Sequence, residues 1–440
     1  MHSIHANTGN KDYGPTLILK HSFGENHTFY TLYGHLTKSS LKLFKEGDSI
    51  QKGDLIAYVG NEIENGNWSP HLHFQLMLDM MGYKTDFPGV AFPAEKEVWK
   101  SICPDPEFLF KVNTRKKPAK IQTDQLLTFR KKHLGENLSL SYQKPLKIVR
   151  GEGVFLIDDT GRKFLDTVNN VAHVGHEHHR VVEAGQKQMA VLNTNTRYLH
   201  DNIVEFAEEL LKTFPDELSV VYVVNSGSEA NELALRMAKT FTAQKDIIAV
   251  EAGYHGNTNA CIDVSSYKFD SEGGKGCPEH THIVPLPDTF RGIYQGAGAG
   301  EKYANHIEKQ IENIRSKGRN VAAFICESII SCGGQIELPG NYLKIAYKAI
   351  RKAGGLCIAD EVQVGCGRAG SVFWGFQLHD IVPDIVTIGK PIGNGHPLAA
   401  VVCTKKVAHT FNNGMEYFNT FGGNPVSCTI GKEVLKVIND

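Results

Sequence analysis

Up to about residue 110, apolar and polar positions alternate in short runs: "TLILKHS", "TFYTLYGHL", "LIAYVG" and "HLHFQLML", parted by Gly and Asn turns. Alternation with period two between turn residues predicts β-strands, so residues 1–110 read as all-β. The stretch "KVNTRKKPAKIQTD" then breaks the pattern. It is basic and polar, carries a Pro, and reads as a linker over residues 111–123. From residue 124 to 440, apolar strands alternate with longer helical patterns: "LSVVYVVNSG" runs into "SEANELALRMAKTF", and "KDIIAVEAG", "NVAAFICES", "GLCIADEV" and "DIVTIG" follow. That order predicts an α/β domain with a mostly parallel sheet and helices on both faces. The chain is therefore read as multidomain, all-β then α/β.

Composition narrows the class. The 440 residues carry a formal net charge of −1, so no bulk field draws the chain to nucleic acid or to an anionic membrane. No apolar run is long enough to span a bilayer. The start, "MHSIHANTGNKDYG", has neither the basic nor the apolar stretch of a signal peptide. Nine scattered cysteines without a C-x-x-C pair suit reduced thiols in a cytoplasmic enzyme.

Candidate chemistry in the front part centres on "HLHFQLML". On a strand, His71, His73 and Gln75 share one face, and Leu72, Phe74 and Leu76 share the other. Two readings follow: a half-exposed strand that happens to carry two histidines, or a polar face that offers metal ligands. The surrounding pieces "YGHL", "EGDSIQKGDLIAYVG" and "PHLHFQ" resemble the second half of the zinc metallopeptidases of family M23. The resemblance implies that His73 matches a zinc ligand, and that His71 and His35 match the histidines that assist water attack. In that family two further ligands come from an upstream H-x-x-x-D, which "HSIHANTGNKD" does not supply. A catalytic zinc takes about three protein ligands. Residues 1–110 are thus expected to be a partial, inactive M23-like domain, with zinc only if a missing upstream segment supplies ligands.

In the rear part, "VVYVVNSGSEANELALRMAKTF" reads as strand, tight turn and helix. Ser226 and Glu229 have capping-box spacing, and Ala230, Leu233, Ala234, Met237 and Ala238 give a core face. This is a well-capped helix in any case; it also offers the N–H groups of Gly227 and Ser228, and the Ser228 hydroxyl, as a phosphate cradle. Tyr254, in "AVEAGYHGNT", could stack on a planar ring. Asp360 and Glu361 end the strand "GLCIADEV"; Asp360 could bind a metal, cap a loop, or pair with a protonated ring nitrogen. Lys390 closes "DIVTIGK" ahead of a "PIGNG" turn, either as a solvated lysine or as one held in an apolar pocket to form a Schiff base.

In this order, "NSGSEAN", "YHG", "ADEVQVGCGR", "TIGKPIGNG" and "TFGGNP" resemble the class-III aminotransferases, fold-type-I enzymes that use pyridoxal 5'-phosphate. The resemblance covers residues 124–440. It implies that Gly227 and Ser228 hold the cofactor phosphate, Tyr254 stacks on its ring and Val362 packs on the opposite face. Asp360 then pairs with the pyridine nitrogen, Gln363 reaches the ring hydroxyl, and Lys390 carries the cofactor and is the catalytic base. Thr420 contacts the phosphate of a neighbouring subunit, so a homodimer is expected.

"NNVAHVGHEHHRVV", "ICESIISCGGQIELP" and "GMEYFNTFGGNPVSC" look like the ethanolamine-phosphate and 5-phosphohydroxylysine phospho-lyases, which expel phosphate from a phosphorylated amine. Many relatives that use α-ketoglutarate carry an acid five residues after the glutamate matching Glu327; here that residue is Cys332. The expected substrate is therefore a small phosphorylated amine, with a transaminase that moves an amino group from an amino acid or ω-amine to a keto acid as the alternative. The alternatives of another kind are a zinc metallopeptidase, or a binding module, in the front domain. The chain ends in "GKEVLKVIND", an amphipathic helix start where the family continues into a small C-terminal domain, so the chain reads as a fragment at both ends.

Overall fold

The computed structural model describes residues 1–9, 11–24, 27–85, 87–106, 109 and 121–440. The chain divides into two compact units, Met1–Lys120 and Ile121–Asp440. The expected linker at 111–123 lies mostly outside the described residues, and a helix begins at Thr123.

The front unit holds one antiparallel sheet in chain order: β1 (Ser3–His5), β2 (Thr16–Phe23), β3 (His27–Gly34) and β4 (His73–Met77). Ile18, Leu32 and Met77 form its core with Met80 and Phe87. Two details depart from the pattern reading. "LIAYVG" forms no strand; it meets the sheet through a single bridge between Leu36 and Val59. Leu72 lies outside β4 and is exposed, and the core residues Met77 and Leu32 share the face of His73 and Gln75, not that of Phe74 and Leu76. The unit also carries a helix, Lys96–Ile102, whose Trp99 and Ile102 pack on the core.

After the helix Thr123–His133, the rear unit carries a meander of β5 (Ile148–Glu152), β6 (Phe155–Asp158) and β7 (Lys163–Leu165). Its main sheet has seven strands: β8 (Leu218–Val224), β9 (Asp246–Val250), β10 (Thr281–Val284), β11 (Val321–Glu327), β14 (Leu356–Asp360), β15 (Ile385–Ile388) and β16 (Ala399–Thr404). The short pair β12 (Ile329–Ile330) and β13 (Ile336–Glu337) stands apart. The order is β10-β9-β11-β14-β15-β16-β8. Pairing is parallel from β10 to β15, and β16 runs against both neighbours, so the mostly parallel sheet is as expected.

Strand alternation explains the layers. In β9, Ile247 and Ala249 face the helix Gly227–Thr242, whose Ala230, Leu233, Ala234, Met237 and Ala238 fill that side. Ile248 and Val250 face the helices Ala299–Ser316 and Tyr342–Lys352. With both faces covered, β9, β11 and β14 are buried along their whole length. Glu327, Asp360 and the turn after β15 thus fall at the same carboxyl edge of the sheet, where open α/β sheets bind ligands.

Candidate active site

At that edge a cavity of about 370 Å³ is lined by Gly227, Ser228, Tyr254, Asp360, Val362, Gln363 and Lys390, so seven of the eight expected cofactor residues meet in one place. Thr420 is exposed and lies outside the lining. Lys390 is not the end of its strand: β15 stops at Ile388, and Lys390 opens a 3-10 turn, Lys390–Gly393, with Pro391 next in line. Burial pulls the Lys390 amine below the usual lysine range, with Asp360, Cys332 and Glu327 working against that shift.

The helix that carries Gly227 is capped on one side only. Ser226 Oγ accepts the Glu229 N–H at 3.2 Å, while the Glu229 carboxylate turns back to the Asn225 N–H at 2.6 Å and its side-chain amide at 3.0 Å instead of to Ser226. The reciprocal capping box is therefore half made. The N–H groups of Gly227 and Ser228 stay free of intrahelical partners, as those of any first turn do. Gly227 also has no room for a side chain: a Cβ there would sit 2.6 Å from Val362 Cγ1. The same methyl stands 2.9 Å from where a Gly389 Cβ would be. Backbone, Val362 and Lys390 are thus drawn tightly around the cavity floor.

Asp360, 2 % exposed, is fixed by three donors. The Val362 N–H donates to Oδ1 at 3.0 Å; Asn231 Nδ2 and His255 Nδ1 both reach Oδ2 at 2.8 Å. Thr387 Oγ1 donates to Asn231 Oδ1 at 2.7 Å, which sets the amide so that its nitrogen faces Asp360. Asn231 and His255 are the functional neighbours that pattern reading passed over. Both left a signal: Asn231 is a polar residue on the helix face otherwise made of Ala and Leu, one turn beyond Gly227, and His255 adjoins Tyr254.

Two more acids sit behind the cavity. Glu327 accepts from the Ser331 hydroxyl and N–H, and burial, then Asp360, raise its carboxyl above the usual range. Glu361 is fully buried and accepts from the N–H groups of Gly375 and Phe376 at 2.8 and 2.9 Å and from the Ser328 hydroxyl. Burial pushes it up to about 7 against the pull of those donors. Gln363 accepts from the Asn170 amide, and Arg368 Nη2 donates to Asn170 O at 2.9 Å.

This set fits pyridoxal phosphate. A free helix N-terminus with a hydroxyl suits its phosphate, a buried carboxylate suits its ring nitrogen, and Tyr254 and Val362 line the same cavity. The lysine amine, lowered by burial, is the nucleophile its aldehyde requires.

The front unit has a second cleft, of about 430 Å³, lined by residues that include His35, His71, His73, Tyr13 and Trp68. The His35 ring lies 4.4 Å from that of His71 and 6.0 Å from that of His73, so the three expected histidines do meet. Each is tied differently. His35 Nδ1 pairs with Asn65 O at 2.9 Å, His71 Nδ1 with Ser69 O at 2.6 Å, and His73 Nε2 with Gln75 Oε1 at 3.3 Å. Burial lowers His35 and His73. Among the described residues, no three His, Cys, Asp or Glu side chains converge as a metal group.

Comparison with known proteins accounts for both units. The sequence profile of aminotransferase class-III matches residues 139–440, and that of peptidase family M23 matches residues 4–85. A Drosophila melanogaster protein named alanine--glyoxylate aminotransferase 2-like is 49% identical over 323 residues, 72% of this chain and 65% of its own length. A Caenorhabditis elegans protein named ethanolamine-phosphate phospho-lyase homolog 1 is 40% identical, over 72% of this chain and 71% of its own. A solved Arthrobacter phospholyase in complex with phosphoethanolamine superposes with a TM-score of 0.68 at 37% identity, over 71% of this chain and 74% of that one. The chain thus spans 65% of the length of the Drosophila relative. It belongs to the class-III aminotransferase family.

Proposed function

We propose that this chain is the core of a pyridoxal-phosphate-dependent phospho-lyase that converts a small phosphorylated amine, ethanolamine phosphate or 5-phosphohydroxylysine, to an aldehyde, ammonia and phosphate. The observation that carries the reading is the chain's likeness, at 37% identity over 71% of its length, to a phospholyase solved in complex with phosphoethanolamine. Cys332 adds support, since it stands where an acid would serve an α-ketoglutarate-using transaminase.

In this mechanism Gly227 and Ser228 would hold the cofactor phosphate, Asp360 would pair with the ring nitrogen, Gln363 would reach the ring hydroxyl, and Tyr254 and Val362 would pack on the ring. Bound pyridoxal phosphate supplies a sink for the electron pair left on carbon when a proton is removed beside the amine. Lys390 Nζ takes that proton, and its lowered basicity favours the neutral amine needed for the task. The C–O bond on the next carbon then breaks, and phosphate leaves with the bonding pair. Water releases the nitrogen as ammonia. Asn231, His255 and the Val362 N–H keep the Asp360 carboxylate oriented while Lys390 moves.

The family's Thr420 motif supports a homodimer in which the exposed Thr420 reaches the partner's site. The free cysteines and the lack of any long apolar helix among the described residues support a cytoplasmic setting. Residues 1–110 are taken as a partial M23-like domain without peptidase activity, joined by a linker at 111–123 to the PLP domain at 124–440.

A second reading, a transaminase, is favoured by the alanine--glyoxylate aminotransferase 2-like relative at 49% identity. Incubation of the loaded protein with phosphoethanolamine or 5-phosphohydroxylysine separates the two. Phosphate and ammonia should appear in equal amounts without a keto acid. Turnover that needs pyruvate, glyoxylate or α-ketoglutarate and frees no phosphate would replace the lyase reading with the transaminase one.

A further inference from the structure

A phosphorylated substrate brings a second phosphate to a cavity whose helix N-terminus is already assigned to the cofactor. Lys390 is the only Lys or Arg in the lining, and it has the proton to move. Two further cations stand close to lining residues, Arg368 through Asn170 to Gln363 and Lys268 at Tyr254. Arg368 is committed: its Nη2 donates to Asn170 O at 2.9 Å and meets His173 Nδ1 at 3.1 Å. Lys268 is not. It sits half-buried on the short helix Ser266–Phe269, with Nζ 5.6 Å from the ring centroid of Tyr254 and 5.8 Å from that of Tyr267. The two rings meet edge to face at 5.9 Å. Its ammonium has no hydrogen bond or ion pair among the described residues. Aromatic faces hold a cation in place without neutralising it, and Tyr254 itself lines the cavity.

We propose, resting on the phospho-lyase reading, that Lys268 is a specificity-determining residue that receives the phosphate monoester end of the substrate at the rim of the cavity. A monoester carries close to two negative charges at neutral pH. A lysine ammonium answers it with a compact charge and three rotatable donors. Held against the Tyr254–Tyr267 pair, that charge has less ordering to lose when the anion arrives than a free surface lysine. Tyr254 would then serve two tasks, lining the cofactor cavity and packing against the cation that reads the substrate.

The test uses the full chain loaded with pyridoxal phosphate, titrated with phosphoethanolamine and with ethanolamine while the cofactor absorbance is followed. The wild type should favour phosphoethanolamine. Lys268→Met should weaken phosphoethanolamine about 10–100-fold, the range of one charge-assisted hydrogen bond, and leave ethanolamine unchanged. KM for phosphoethanolamine should rise with kcat nearly constant, and Lys268→Arg should recover most of the loss. If Lys268→Met keeps the wild-type preference, or weakens both amines alike, Lys268 is only a prop for Tyr254 and the inference is overturned. A wild type without any preference for the phosphorylated amine would instead sink the lyase reading itself.

Discussion

The front cleft gathers three imidazoles, with His71 and His73 at 4.4 and 6.0 Å from the His35 ring, while the rear cavity gathers one lysine, one fixed carboxylate and a helix N-terminus. Both contain the side chains their motifs promise. They differ in how those side chains are supported. In the rear, Asp360 is locked by Val362, Asn231 and His255, and Asn231 is locked in turn by Thr387. In the front, the histidines bond to two backbone carbonyls and one amide side chain, and His71 is exposed. Pre-organised chemistry needs a second layer of partners that fixes the first. The rear cavity has that layer; the front cleft has contacts that orient rings without aiming them at a common point.

The strongest way to break this contrast is to remove Lys390. Lys390→Ala should cut turnover by about 10²–10⁴-fold from the lost base alone, and more with the covalent anchor gone. The wild type should show a visible absorbance band that borohydride abolishes, with the label on Lys390. The variant should still bind the cofactor, because Gly227, Ser228 and Asp360 remain. Mixing Lys390→Ala chains with inactive Thr420→Ala chains should restore part of the activity if the sites are shared across a dimer. No recovery despite measured subunit exchange would argue against sharing, and near-normal turnover by Lys390→Ala would remove the basis for the rear assignment.

Much of the rear unit was legible because two periodicities agreed with one set of motifs. The apolar runs Ile247–Val250 and Val321–Cys326 had to be strands covered on both faces, and the motifs fell at their carboxyl ends. What stayed hidden was side-chain pairing across distant segments. No spacing rule links Asn231 to Thr387, or Glu361 to Gly375 and Phe376. Local competition also misled: Glu229 had the spacing to close on Ser226 and chose the nearer pair of donors on Asn225. In the front unit, "LIAYVG" alternates like a strand yet pairs through one bridge, since propensity yields to the neighbours available.

Glu361 sharpens the contrast from the side of stability. It is a buried acid of the rear unit with a carboxyl pushed up to about 7 from the ordinary 4.5. Between those values the folded state keeps a proton that the unfolded state releases. Its contribution is therefore full below the unfolded value, falls as pH rises towards 7, and is flat above. The size is at most about 3 kcal/mol at 1.36 kcal/mol per pH unit. Glu361→Gln cannot titrate. The stability of the wild type relative to this variant should thus decline from about pH 5 to about pH 8 in denaturant unfolding. A constant difference across that range would mean that the donors of Gly375, Phe376 and Ser328 keep Glu361 ionised throughout.

The smallest expected effect lies in the front cleft. His73 touches Gln75 through Nε2 and meets the Tyr13 ring edge to face at 4.8 Å, both partners being in the front unit. A catalytic zinc would need His73 and about two further ligands aimed at one point. His35 and His71 each spend Nδ1 on a backbone carbonyl, and no upstream H-x-x-x-D stands beside them in the sequence. His73→Ala is therefore expected to leave phosphate release by the rear unit unchanged within about twofold, as mutations at independent sites do. Metal analysis of the purified chain should find zinc well below one per chain, before and after the substitution. Stoichiometric zinc that is lost with His73, together with a peptidase activity lost at the same time, would make the front cleft a working site and erase the distinction between the two.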